Sequence, residues 1–130
     1  KILATIKIPV RINDINYGNH LGNHSLVSIL HEARMQWLSG GGFSELDIKG
    51  SGLIMTELAV EYKAESFYGD VLSIAISVAD ISRAAFDLYY QVNNQQGKLI
   101  AQAKTGMLSY HYEKKAVASL SEEFKRFLLQ

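Results

Sequence analysis

The sequence has no cysteine and a single proline, Pro9. The first absence excludes disulfides, thiolate metal sites and a cysteine nucleophile, and it is compatible with a reducing compartment. The expected location is cytoplasmic. An excess of one charge is missing too: thirteen Lys and Arg balance thirteen Asp and Glu. Nothing in that balance argues for a nucleic acid or an anionic membrane as partner. No apolar run approaches the roughly 18 to 20 residues of a membrane span. No secretory signal is visible, nor is any linker, low-complexity tract or internal repeat. One domain over residues 1–130 is the simplest organisation.

What is present suits a globular fold. Hydrophobic residues make up 48% of the 130 and charged residues 20%, the balance of a chain that builds a core. About two-thirds of the unfolded surface can be buried at this length.

The chain from Ile2 to Asn13 reads as extended, with Ile6, Ile8, Val10 and Ile12 on one face. Asn13 to Asn23 is rich in Asn, Asp and Gly and reads as a loop. A helix follows, because Leu26, Ile29, Leu30, Ala33, Trp37 and Leu38 recur at helical spacing. Asn23 is the predicted N-cap, since its side-chain oxygen can accept from free backbone N–H groups. Ser39-Gly40-Gly41-Gly42 stops the helix. Phe43 to Lys49 is predicted as a short helix capped by Ser44.

From Leu53 to Tyr112 the pattern is that of strands. Leu72, Ile74, Ile76 and Val78 alternate with polar or small residues, as do Phe86, Leu88, Tyr90 and Val92. Gly69-Asp70 and Asn93 to Gly97 are turn signals that favour antiparallel hairpins. Gly52 and Gly106 inside strand-like stretches suggest bulges or close approaches. Ser121 to Leu129 reads as a short terminal helix. The order predicts an α+β protein with one antiparallel sheet packed on a long, unusually apolar helix.

The densest polar cluster is Asn13, Asp14, Asn16, Tyr17, Asn19, His20, Asn23 and His24, threaded by Gly18 and Gly22. It directly precedes the long helix. A helix N-terminus offers free N–H groups and partial positive charge, which can hold a carbonyl oxygen as negative charge develops on it. A carboxylate or amide on the preceding loop can orient water against the carbonyl carbon. The residue types alone suit an ordinary Asx-rich turn equally well.

The run Arg11-Ile-Asn-Asp14-Ile-Asn16-Tyr-Gly18-Asn-His20-Leu-Gly-Asn23, followed by His31-Glu32-Ala33-Arg34, resembles the signature of the 4-hydroxybenzoyl-CoA thioesterase-like hotdog family. That signature is Asp-x-Asp, a glycine-rich turn, His-x-Asn-Asn, and a helix carrying Glu-(Glu/Ala)-Ala-Arg. Tyr62 to Asp70, ending in Tyr68-Gly69-Asp70, resembles the family's second landmark.

The resemblance implies a hotdog fold, an antiparallel sheet of five or six strands wrapped around a long central helix. It implies hydrolysis of acyl-CoA or acyl-carrier thioesters without metal or organic cofactor. It also implies homodimers or homotetramers with active sites between subunits. Carried over by position, Asn16, Asp14, His20 and Glu32 are the expected catalytic group. Asn23, His24, Tyr17 and Gly18 are the expected substrate and oxyanion contacts, with the Asn23 and His24 backbone N–H groups facing the carbonyl oxygen.

Three positions depart from the signature. Asn16 stands where the family has the second Asp, and an amide is neither a general base nor a carboxylate nucleophile. Asn19 replaces a glycine, and Gly22 replaces the first Asn of the pair. Three readings follow. Asp14 or Glu32 supplies the carboxylate; His20 acts as base, a residue type that titrates near neutrality; or the protein binds thioesters with little turnover.

Other candidates are weaker. His20, His24 and His31 lack a third ligand at a recognisable metal spacing, so no metal is expected. Ser39 to Gly42 follows a helix instead of preceding one and is not a phosphate loop. Lys63, Arg83, Lys98 and Lys104 are candidates for coenzyme A phosphates.

Overall fold

The computed structural model describes residues 1–130. Strand β1 (Ile2–Pro9) ends at the one proline. It is an edge strand, where a residue without an N–H is tolerated. A single 3-10 turn (Ile12–Asp14) leads into the polar loop and then helix α1 (Asn23–Gly40). Four long strands follow: β2 (Gly52–Tyr62), β3 (Val71–Ala79), β4 (Ala85–Asn93) and β5 (Leu99–His111). The short β6 (Ala116–Val117) and helix α2 (Glu122–Leu128) close the chain. The sheet is antiparallel throughout, in the order β1-β3-β4-β5-β2, with β6 paired to β5. No helix is long and apolar enough to cross a membrane.

The alternation read from the sequence sets the sheet's inner face. Leu72, Ile74 and Ile76 on β3 are buried, as are Phe86, Leu88, Tyr90 and Val92 on β4. Against them lies the stripe Leu26, Ile29, Leu30, Ala33, Trp37 and Leu38 of α1. Each fully buried Leu or Ile contributes roughly 1.5–3 kcal/mol relative to exposure, so this stripe fixes α1 against the sheet. The far end of α1 is sealed by α2. Trp37 stacks on Phe127 at 5.0 Å, and Phe43 meets Phe124 edge-on at 5.0 Å. The terminal helix is present as expected, and Ser121 caps it, its hydroxyl accepting from Phe124 N–H at 3.1 Å.

Four local features refine the sequence reading. The extended segment stops at Pro9, and Ile12 is 68% exposed instead of lying on the inner face. Asp14 causes this, because its carboxylate accepts from Arg11 N–H at 2.8 Å and closes a turn. Phe43 to Lys49 is not a helix. Ser44 and Asp47 exchange backbone hydrogen bonds, and Lys49 and Gly50 take positive φ. This turn buries both Phe43 and Ile48.

The N-cap of α1 is Gly22, not Asn23, which is the first helical residue. Gly22 N–H donates to the Asp14 carbonyl at 3.0 Å, which holds the glycine extended. The glycines within strands behave as expected. β2 carries a register shift between Met55 and Glu57, opposite Gly106. A Cβ on Gly106 would sit 3.0 Å from Thr56 Oγ1.

Candidate active site

The loop before α1 is held by its own backbone. Asn16 N–H donates to the His20 carbonyl at 3.0 Å, and Asn19 N–H to the Asn16 carbonyl at 3.0 Å. Asn19 adopts φ +66°, a left-handed conformation that asparagine tolerates better than most residues. That is how an asparagine occupies a position where the signature has glycine.

Asn16 Oδ1 accepts from Gly18 N–H at 2.9 Å. A Cβ on Gly18 would lie 3.2 Å from Asn16 Oδ1 and 3.2 Å from His20 Nε2. Asn16 and His20 therefore flank one glycine, and a side chain there would push one of them aside by a few tenths of an ångström. A Cβ on Gly22 would lie 4.0 Å from Asn16 Nδ2, so the free amide N–H₂ of Asn16 stands beside the first turn of α1. His20 Nδ1 lies 3.3 Å from the Leu21 carbonyl. With the proton on Nδ1 facing that carbonyl, Nε2 keeps its lone pair on the Gly18 side.

No side chain caps α1. The N–H groups of Asn23, His24 and Ser25 make no hydrogen bond within the chain. Asn23 and His24 are exposed, and Tyr17 stands fully exposed at the loop tip. A cleft of about 320 Å³ opens here, bordered by His20, Asn23, Tyr62, Lys63 and Ser66 among others. Burial raises the Tyr62 hydroxyl above its ordinary value. Of the four basic candidates for phosphate contact, only Lys63 borders this cleft, and it pairs with Glu61. Lys104 pairs with Glu57 at 2.9 Å, and Arg83 donates to Ser119 at 2.8 Å. A wider groove of about 550 Å³, lined by Ala75, Tyr89 and Lys104 among others, crosses the outer face of the sheet away from this loop.

The structure thus brings together Asn16, Gly18, His20 and Asn23. It also fixes the Asp14 carboxylate. That carboxylate is 4% exposed and taken up by Arg11, through N–H at 2.8 Å and the guanidinium at 3.4 Å. Glu32 is not near the loop within one chain. It lies about 13 Å along the axis from Asn23, accepts from Gln36 at 2.7 Å, and borders a cleft with Arg11 and Pro9. His24 and His31 assemble no metal centre, and no three donor side chains that could hold an ion come together.

Two groups of polar contacts were not assigned by the sequence reading. One is the polar cluster His31, Arg34 and Glu45. Arg34 Nε donates to Glu45 at 2.6 Å, and His31 Nε2 lies 2.8 Å from its other oxygen. Burial alone would raise the Glu45 carboxyl, but the hydrogen bonds from Arg34 and His31 outweigh it and hold it below its ordinary value. Burial would likewise lower Arg34, and the Tyr90 and Glu45 contacts instead raise it. The other is Asp70, which accepts from Ser66 Oγ at 2.8 Å, Phe67 N–H at 3.0 Å and Gln95 at 2.9 Å. Burial would raise this carboxyl, and these three bonds together lower it. The same loop presents the Ser66 carbonyl to Leu21 N–H at 2.7 Å, bracing the candidate site from behind.

The α+β frame, one six-stranded antiparallel sheet with two helices, matches that of hotdog thioesterases. The sequence matches the model of the Thioesterase-like superfamily over residues 10–128, and the chain belongs to that family. Among solved structures it is similar to the 1,4-dihydroxy-2-naphthoyl-CoA thioesterase of Synechocystis. That match has a TM-score of 0.89 at 20% identity and covers 97% of this chain and 95% of the other. It is similar to a Staphylococcus aureus protein solved in complex with CoA, with a TM-score of 0.89, 18% identity, and coverage of 99% and 82%. A gentisyl-coenzyme A thioesterase aligns with a TM-score of 0.84, 20% identity, and coverage of 96% and 99%. No curated protein matches the sequence.

Proposed function

We propose that this protein hydrolyses acyl-CoA (or acyl-carrier) thioesters at the start of α1. The observation that carries the reading is the free N-terminus of α1, uncapped and set beside Asn16 and His20. The thioester carbonyl oxygen accepts from the Asn23 and His24 N–H groups, aided by the helix dipole. Asn16 positions the water or the carbonyl through its amide. His20 Nε2 takes a proton as the water oxygen bonds to the carbonyl carbon. The tetrahedral adduct then expels the thiol as the C–S bond breaks, and the imidazolium returns the proton to sulfur. Tyr17 and Gly18 line the approach. No metal or organic cofactor takes part.

The two carboxylates take different places in this scheme. Asp14 holds the loop through Arg11. Glu32 acts only if a second copy brings it to the site. A homodimer fits this, because β2 is an edge strand of 11 residues with Met55, Leu58 and Tyr62 open to solvent. Long apolar edges of this kind are normally covered. In that assembly the sheet wraps α1 as the hotdog family implies.

A second reading is favoured by one position: Asn16 occupies the carboxylate site, so the chain is instead an acyl-CoA-binding module with little turnover. Both are tested by incubating folded protein with a panel of acyl-CoA esters and a thiol reagent, beside calorimetric binding. Hydrolysis supports the first reading, whereas affinity without thiol release supports the second. Under the second reading Asn16→Asp raises turnover; if it abolishes an existing activity, the amide has a role of its own.

A further inference from the structure

The seam between α1 and β2 holds a second polar centre that the proposed hydrolysis does not use. Arg34 is 6% exposed, and burial this deep requires partners. Nε has Glu45, and Nη1 donates to Tyr90 OH at 3.0 Å. Tyr90 in turn shares a hydrogen bond with Thr105 at 2.7 Å. Nη2 has no partner in the chain, yet it is not sealed from solvent. Arg34 and Thr105 line a cleft of about 230 Å³ whose walls include Val27, Leu30, Leu53 and Leu58.

Pairing with Glu45 and Tyr90 accounts for two of the guanidinium nitrogens. It leaves Nη2 as the guanidinium nitrogen without a partner, on a residue that lines the cleft with His31, Glu45 and the apolar walls. A few placed polar groups in an apolar pocket are what orient a bound ligand. The cleft also lies on the same seam as the candidate site. Val27 is one helical turn beyond Asn23, about 6 Å along the axis, and Arg34 is about 16 Å along it.

We propose that this cleft receives the far end of the acyl group, and that Arg34 Nη2 recognises a neutral oxygen acceptor there, a hydroxyl or a carbonyl. The proposal rests on the thioesterase reading and deepens it by naming the substrate class. The acceptor is neutral because Glu45 already balances the guanidinium, and a second carboxylate would meet its charge. The spacing along α1 suits acyl groups on the order of 10–15 Å long.

The test uses non-hydrolysable acyl-CoA thioethers with chains of about eight to twelve carbons, a span set by the α1 spacing. They are made in pairs of equal length, one ending in a hydroxyl and one in a methyl group. Calorimetry on the folded protein is expected to show the hydroxyl-ended member binding about tenfold more tightly, as a hydrogen bond to a charged donor allows. Arg34→Lys keeps the charge against Glu45 but removes Nη2, and it is expected to bring the ratio close to one. Thr105→Val, which removes the hydroxyl anchoring Tyr90, is expected to lower the ratio and serves if the lysine variant does not fold. Equal affinities within every pair, or an unchanged ratio in the folded lysine variant, would overturn the proposal. Thiol release from the corresponding esters is followed in parallel. Its absence counts against hydrolysis, while the affinity ratio still decides the cleft.

Discussion

At the scale of single residues, the site depends on what Gly18 lacks. Alanine there would press on Asn16 Oδ1 and His20 Nε2, each 3.2 Å from the new methyl. In a site on the order of 1 Å from failure, Gly18→Ala is expected to lower kcat/KM about tenfold or more while circular dichroism stays unchanged. His20→Gln keeps the size and loses the base, and steady-state kinetics should show kcat falling roughly 10²-fold or more. The polar loop was legible from its residue types, and Gly18 and His20 were named in it. The turn that Asp14 closes was not, because nothing in its spacing shows that its carboxylate accepts from Arg11 N–H at 2.8 Å.

Two carboxyls set the response to acid. Glu45 and Asp70 both lie below their ordinary values of 4.5 and 3.8 in the folded protein. A depressed folded value means the unfolded chain binds the proton more readily. The stabilisation is therefore complete above the ordinary values and is lost as pH falls through the lower folded ones. Thermal melts between pH 7 and pH 3 are expected to show the melting temperature dropping below about pH 4.5. Glu45→Gln should flatten that drop, and an unchanged slope would remove Glu45 from the account.

Among elements, the strands and α1 were readable because their periods are long and uninterrupted. Phe86 to Val92 alternates without a break, and the α1 stripe from Leu26 to Leu38 repeats over more than three turns. The segments that escaped are short and decided by tertiary contact. Phe43 to Lys49 is turned back by the Glu45 carbonyl, which accepts from Leu53 N–H at 2.6 Å. The cap of α1 shifted by one residue because the Asp14 carbonyl took Gly22 N–H. The bulge in β2 was foreshadowed by Gly106, and it yields a test of packing at this scale. Gly106→Val places a branched side chain against Thr56 and Glu57. Urea unfolding is expected to show a loss of about 1–3 kcal/mol, the usual cost of overpacking. No loss would mean that the bulge yields freely.

For the whole molecule, sequence reading named the family and the sheet, and family and fold comparisons agree with both. What no single chain's pattern conveys is how copies meet. If β2 pairs across a dimer, Leu58→Glu sets a charge on each side of that seam. Sedimentation should then show the mass falling to that of a monomer. Activity retained in a monomer would confine the chemistry to Asn16, His20 and the α1 terminus of one chain.

The most direct measurement is thiol release from acyl-CoA esters by the folded protein, with the His20→Gln variant alongside. The account predicts release above the uncatalysed background for at least one ester, largely lost in the variant. No release from any ester by folded wild-type protein, or equal release by the variant, would contradict it.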